Sequence, residues 1–215
     1  MTSTPVVHVV DDDEAIRDSF VWLLEGHGFK PVCYASAEAF EALFPGRATQ
    51  TGHVAPCCVL LDVRMPGKSG LELFDALNER QVFVPIIFVT GHGDVPMAVE
   101  AVKKGAFDFI EKPVNEEKLI STIRRALAHD GQRSAANLQA QAIADRFSQL
   151  TPREREVMEL VIVGKLNKTI ADVLNIAIKT VEIHRARVMD KMGAKSLAEL
   201  VQFAMALKAR LQTHA

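Results

Sequence analysis

The chain has 215 residues, 48% of them hydrophobic and 24% charged, with a formal charge of −2 and three cysteines. That length suits one large or two modest globular domains, and the composition excludes the polar bias of a disordered chain. Apolar runs such as Phe83 to Thr90 fall short of the roughly 18 residues of a membrane span, Met1 to Pro5 lacks the basic start of a secretory signal, and three cysteines without ligand spacing exclude a disulfide or zinc scaffold, so a reduced, cytoplasmic chain is expected.

Five pairs of strand and helix are predicted up to Ala128. Val6 to Val10 precedes an amphipathic stretch, Glu14 to Gly28; Pro31 to Tyr34 precedes Ala37 to Leu43; Cys57 to Leu61 precedes Leu71 to Arg80; Ile86 to Thr90 precedes Val95 to Lys104; Phe107 to Ile110 precedes Glu116 to Ala128. Continuous apolar strands separated by helices specify an α/β doubly wound parallel sheet, whose ligands gather at the carboxyl ends of the strands. Beyond Ile110 only helices are predicted. Ala128 to Gln149, rich in Ala, Gln and Arg, reads as a helical spacer. The expected organisation is a first domain over residues 1–128, a helical linker over 129–148 and an all-helical domain over 149–215. Charge divides in the same way: up to Arg125 there are 12 basic against 18 acidic groups, a balance of −6, and beyond it 13 against 9, a balance of +4. The acidic half suits a bound cation and the basic half suits phosphate backbones.

Asp11, Asp12 and Asp13 follow the first strand directly. Alone, such a run reads as a helix cap favoured by the helix dipole. Asp62, directly after Leu61, turns the balance away from a simple cap, because a parallel sheet brings its strand ends to one edge. Carboxylates gathered there repel one another unless a hard cation such as Mg²⁺ sits among them. Thr90 ends the fourth strand and Lys112 follows the fifth. A hydroxyl, an ammonium, a metal-binding pair and a lone carboxylate on one edge make a site for phosphoryl transfer to Asp62. Cys57 and Cys58 open a buried strand, where packing outweighs redox sensing.

Four motifs occur in order: Val10-Asp11-Asp12-Asp13-Glu14, Leu61-Asp62-Val63-Arg64-Met65-Pro66-Gly67, Val89-Thr90-Gly91-His92-Gly93 and Phe109-Ile110-Glu111-Lys112-Pro113. Through them residues 5 to 128 resemble the receiver domain of two-component response regulators, a flavodoxin-like five-stranded parallel sheet. The resemblance implies Asp62 as phosphoacceptor, with Mg²⁺ or Mn²⁺ held by Asp11, Asp12, Asp62 and the backbone carbonyl of Arg64. It also implies Lys112 as a phosphoryl-stabilising group, Thr90 and Phe109 as a switch pair, and a cis Lys112-Pro113 bond. Arg17 and the apolar Ile16, Phe20, Leu23 and Leu24 fit best with Asp11 and Asp12 as the pair and Asp13 as the cap. Thr90 moving toward a phosphoryl oxygen would vacate space for the Phe109 ring, a bistable element biased by charge. Without its neighbours, Phe109 reads as a core aromatic. Pro45 to Pro56 is longer than the family usually has between the second helix and third strand.

In the basic half, Leu150-Thr151-Pro152-Arg153-Glu154 combines a capping Thr, Pro at the first helical position and Glu three residues after the cap. That helix runs to a stop at Gly164. A short helix, Lys168 to Leu174, a turn through Asn175 and a longer helix, Lys179 to Met192, form a helix-turn-helix pattern. Stripes of this kind occur in any small helical bundle, but basic residues cluster on and around the last two helices. With Asn167-Lys168-Thr169-Ile170-Ala171, Thr180-Val181-Glu182-Ile183-His184-Arg185 and Lys191-Met192, residues 148 to 208 resemble the LuxR/NarL type of helix-turn-helix. The resemblance places Lys179 to Met192 in the major groove of double-stranded promoter DNA. Glu182, Ile183 and Ala186 share an outward face toward base edges. Lys168, Lys179, Thr180, Arg185, Arg187 and Lys191 are expected mostly on phosphates. His184 either contacts a phosphate or lies half-buried against the preceding helix. Ala177 stands where the family usually has a capping Ser, a loss of about 0.5 to 2 kcal/mol of local stability.

With both resemblances in order, and with Gly91 to Val99 especially close to that type, the whole chain resembles a FixJ-type response regulator. The implied function is a transcription regulator, not an enzyme beyond its own phosphorylation at Asp62 and slow dephosphorylation. A sensor histidine kinase would be the donor, a homodimer on promoter DNA the phosphorylated form, and the transcription machinery a further partner, with no membrane association. Two alternatives remain at this point: a Mg²⁺-dependent phosphatase working through an aspartyl-phosphate, and a receiver scaffold indifferent to phosphorylation.

Overall fold

The computed structural model describes residues 4–44, 55–91 and 95–213. The long segment Pro45 to Pro56, apart from its last two residues, and His92 to Asp94 of the fourth-strand loop lie outside the described residues. Strands β1 (Val6–Val10), β2 (Lys30–Tyr34), β3 (Cys57–Asp62), β4 (Ile86–Thr90) and β5 (Asp108–Glu111) form one sheet in the order β2-β1-β3-β4-β5. Every pairing is parallel, the doubly wound α/β architecture expected from the alternation. Strand order reverses between β1 and β3, where such sheets open a crevice at their carboxyl ends. Val10 pairs with Leu61 and Asp62 with Val89. Asp11, Asp62 and Thr90 therefore reach the same edge together.

Helices α1 (Glu14–Gly26), α2 (Ala37–Leu43), α3 (Gly70–Glu79), α4 (Val95–Lys103) and α5 (Glu116–Ser148) surround the sheet. Phe20 and Leu24 of α1 with Leu119, Ile123 and Ala126 of α5 cover one face, on Val7, Val9, Leu60 and Ile87. Phe40 of α2, Leu73 and Phe74 of α3 and Ala101 of α4 cover the other, on Val59, Leu61 and Phe88. All six residues of β3 are buried, so Cys57 and Cys58 pack inside, and burial pushes the Cys58 thiol far up. Both helices that lead away from the acidic edge begin at side-chain caps. Asp13 accepts from Ala15 N–H at 2.8 Å and Ile16 N–H at 3.3 Å to start α1, and Ser69 with Glu72 forms a capping box that starts α3.

Most boundaries move by one or two residues from those expected, β2 beginning at Lys30, α1 ending at Gly26 and β3 reaching Asp62 among them, and two further differences have a plain physical cause. β5 covers Asp108–Glu111 rather than Phe107 to Ile110, because the Phe107 N–H bonds to the Ile86 carbonyl at 2.8 Å before the ladder begins at Ile87 and Asp108. α5 runs for 33 residues without a break at Ala128, since no proline interrupts it. The chain divides into two compact units, Met1–Ser134 and Ala135–Ala215, with the division inside this helix.

The second unit contains the end of α5 with α6 (Pro152–Ile162), α7 (Asn167–Leu174), α8 (Ile178–Met192) and α9 (Leu197–Thr213). Ile143, Val157, Val161, Ile170, Val181, Val188, Met192 and Leu200 form its core. The local pattern does not mark α9, because its inward stripe of Leu200 and Ala204 is blurred by outward-facing Leu197 and Met205. Asn175 takes a left-handed conformation (φ 51°) between α7 and α8, and Thr151 with Glu154 forms the expected capping box. Among the described residues, no helix is long and apolar enough to cross a membrane.

Candidate functional site

At the carboxyl edge of the sheet, the Asp11 and Asp62 side chains converge on one ammonium. Lys112 Nζ donates to Asp62 Oδ1 at 2.6 Å and to Asp11 Oδ2 at 3.0 Å. The other oxygen of each carboxylate is held by backbone: Asp62 Oδ2 accepts from Arg64 N–H at 2.8 Å, and Asp11 Oδ1 accepts from Asp13 N–H at 2.9 Å. Arg17 donates through Nη1 to the carbonyls of Asp11 and Asp12 at 2.8 and 2.9 Å, fixing the turn from β1 into α1. Lys112 reaches the site because its N–H bonds to the Thr90 carbonyl at 2.8 Å, beside a cis Lys112-Pro113 bond.

Burial and charge set the chemistry of this cluster. Asp11 and Asp62 are 3% and 8% exposed. Burial raises the Asp62 carboxyl above the usual carboxylate range, opposed by the hydrogen bond and charge of Lys112 and reinforced by the nearby Asp11 charge. Burial pulls the Lys112 ammonium down, but hydrogen bonds to Asp62 and Asp11 outweigh it and hold the group above its ordinary value. The positive charge of Lys112 thus offsets part of the burial that raises Asp62.

The structure brings together Asp11, Asp62 and Lys112, with Thr90 next to them. Thr90 is fully buried and its hydroxyl donates to the Gly91 carbonyl at 3.2 Å. Asp12 is exposed, and no three acidic, His or Cys side chains form a ready metal cage among the described residues. The two convergent carboxylates nevertheless fit Mg²⁺ or Mn²⁺: they are hard oxygen donors aimed at one cation-sized point, now taken by an ammonium. Phe109 is half-buried on the second sheet face, with Lys118 Nζ 6.0 Å from its ring centroid.

In the second unit, α8 presents exposed Glu182, Ile183 and Ala186 on one side, with exposed Lys179 and Arg187; Lys168 is exposed on α7 and Thr180 is half-buried. Lys179 and Glu182 pair loosely at 3.6 Å. Two expected phosphate-facing residues have partners that the sequence did not suggest, and His184 takes the half-buried one of its two expected positions. Arg185 Nη1 donates to Asn167 Oδ1 at 2.8 Å. Lys191 Nζ turns inward to Glu154 Oε2 at 2.7 Å and to the Gln149 carbonyl at 3.2 Å. His184 is half-buried, with Nδ1 shielded from solvent and without a hydrogen-bond partner. Ala177 occupies the N-cap of α8 and makes no side-chain cap. Glu154 was legible only as a capping-box residue; its buried pairing with Lys191 spans 37 residues and leaves no local signal.

Residues 7–124 match the response regulator receiver domain family, and residues 148–204 match the bacterial regulatory proteins of the luxR family. The chain is 44% identical over 205 residues to the transcriptional regulatory protein FixJ of Bradyrhizobium diazoefficiens, covering 95% of this chain and 97% of that protein. Among solved structures it resembles the response regulator StyR (TM-score 0.83, 39% identity, 94% of this chain and 99% of that one). It also resembles full-length FixJ from B. japonicum (TM-score 0.57, 43% identity, 97% and 99%). The chain belongs to the FixJ-type two-component response regulators, transcription regulators that join a receiver domain to a LuxR-type DNA-binding domain.

Proposed function

We propose that Asp62 accepts a phosphoryl group from a sensor histidine kinase and that this event controls binding of the second unit to promoter DNA. The observation that carries the reading is the Lys112 ammonium shared between Asp62 and Asp11. An Asp62 carboxylate oxygen attacks phosphorus as the bond from phosphorus to the kinase imidazole breaks, and the imidazole nitrogen leaves with the electron pair. Attack through Oδ1 leaves the Lys112 ammonium beside the phosphoryl oxygens, where it offsets their charge. Thr90 turns its hydroxyl from the Gly91 carbonyl to one of those oxygens, and the half-buried Phe109 ring takes the space it leaves.

Asp11, Asp12, Asp62 and the Arg64 carbonyl would hold Mg²⁺ or Mn²⁺. When bound, the metal offsets charge on the group in transfer. The receiver spans residues 1–128, the connecting helix 129–148 and the DNA-binding domain 149–215. The phosphorylated chain forms a homodimer on promoter DNA in the cytoplasm and engages the transcription machinery. Glu182, Ile183 and Ala186 face base edges, while Lys168, Lys179, Thr180 and Arg187 hold phosphates. Arg185 and Lys191 join them only by leaving Asn167 and Glu154, and His184 supports the helix from a half-buried position.

The test compares the parent with Asp62→Asn, each with Mg²⁺ and acetyl phosphate, following protein-bound phosphate and mass in solution. A stable, stoichiometric label on the parent alone, with mass rising toward a dimer, is expected. Label on both proteins, or multiple turnover of phosphate monoesters by the parent, would contradict the reading.

A further inference from the structure

The loop from β3 to α3, residues 63–69, is tied at both ends and at its outer turn. Near Asp62 it is held by the Arg64 N–H on Asp62 Oδ2. At the far end the Gly70 N–H donates to the Val63 carbonyl at 3.0 Å. Gly70 lies so close to β3 that a Cβ there would sit 2.0 Å from the Asp62 carbonyl oxygen. At the outer turn, the Lys68 N–H donates to Glu38 Oε1 of α2 at 3.0 Å, and Lys68 Nζ donates to Glu41 Oε2 at 2.9 Å. Arg80 Nη2 steadies Glu41 from 3.3 Å on its other oxygen.

Gly67 makes the outer tether possible in two ways. Its φ of +76° is a conformation that side chains other than glycine rarely adopt, and a Cβ at this position would meet Glu38 Oε1 at 2.9 Å. Hydrogen bonds from its own backbone N–H and from that of Lys68 hold the Glu38 carboxyl below its usual range, so it remains an ionised acceptor. Glu38 is exposed and touches neither Asp62 nor Lys112 in the described contacts; its link to the acidic edge runs through the loop backbone.

We infer that Glu38 is a positioning residue for phosphoryl transfer: through the Lys68 N–H it fixes the loop conformation that sets the Arg64 backbone beside Asp62. The inference rests on Asp62 being the phosphoacceptor. The loop offers one N–H to Asp62 and one carbonyl to the proposed metal from the same residue, so a loop released at its outer turn presents both less accurately. Misplacement by about 1 Å costs on the order of 10²-fold in rate, and a loop still tied at both ends should lose less, about 10-fold.

The experiment uses the full chain as parent, Glu38→Ala, Glu38→Gln and Asp62→Asn. Two quantities are read: the rate of labelling by acetyl phosphate at saturating Mg²⁺, and amide hydrogen exchange of residues 63–69 without metal. Glu38→Ala should label about 10-fold more slowly and exchange the Lys68 amide several-fold faster. Glu38→Gln keeps an oxygen acceptor and should restore both. Labelling of Glu38→Ala at the parent rate would overturn the positioning role, as would slow labelling of both variants with Lys68 exchange unchanged. A parent that labels no better than Asp62→Asn would remove the Asp62 reading and the positioning role with it, an outcome distinguishable from failure of the inference alone.

Discussion

Lys112 and Asp62, 50 residues apart in sequence, form an ion pair of 2.6 Å at the carboxyl edge of the sheet. The same ammonium lies 3.0 Å from Asp11, so two carboxylates that would repel share one counter-charge. Replacing Lys112 with Met should slow acetyl phosphate labelling of Asp62 by about 10²-fold, the usual effect of removing one donor to a developing charge. The pair also has a signature in pH. Lys112 is raised above 10.5 in the folded chain, so its contribution to stability is complete below that value and lost as pH rises through the higher folded value. Alkaline unfolding should show this loss in the parent and lack it in Lys112→Met.

In the second unit, Glu154 is buried yet ionised, because Lys191 and the Thr151 N–H hold it below its ordinary value of 4.5. The sign is opposite to that of Lys112. The contribution of Glu154 is complete above 4.5 and disappears as pH falls through the lower folded value. Glu154→Gln should cost about 2 kcal/mol at neutral pH, the range for a hydrogen bond to a charged group. Hydrogen exchange of α6 and the C-terminal turn of α8 in the full chain measures it, and the difference between parent and variant should shrink in acid.

Ala177 leaves the N-terminus of α8 without a side-chain acceptor at an extended backbone (φ −67°, ψ 146°) that suits a cap. Ala177→Ser should stabilise the start of this helix by about 1 kcal/mol. Slower amide exchange at Lys179 and Thr180 would report it; unchanged exchange would mean that the first turn is already held by other contacts.

How much of this was visible in the sequence differs by residue. Asp62, Asp11, Thr90 and Lys112 were legible because each ends or follows an apolar run, and a parallel sheet brings such ends together by construction. Asp13 was legible as a cap because it precedes the first periodic turn. The helical character of the residues up to Ser148 was legible in their Ala, Gln and Arg content, but the absence of a break at Ala128 was not, since the middle of α5 is polar around most of its circumference and carries little period. Glu38 and Lys191 were beyond reach for another reason. Their partners, Lys68 and Glu154, are 30 and 37 residues away, and pairings of that span depend on packing that no local pattern records.

Cysteine reactivity should follow burial. Cys33 is exposed, whereas Cys57 and Cys58 are buried in β3. A thiol reagent should modify Cys33 alone in the native chain and all three cysteines after unfolding, as counted by mass spectrometry. Fast native modification of Cys58 would contradict the buried strand.

Charge added at Asp62 should govern DNA binding by the second unit. The most direct measurement is the affinity of the full chain for a duplex selected from a random pool, with and without acetyl phosphate and Mg²⁺, for the parent and Asp62→Asn. The parent should bind about 10-fold tighter when phosphorylated, within the usual range of coupling between sites, and Asp62→Asn should be unaffected. Equal affinity of the phosphorylated and unphosphorylated parent would contradict it.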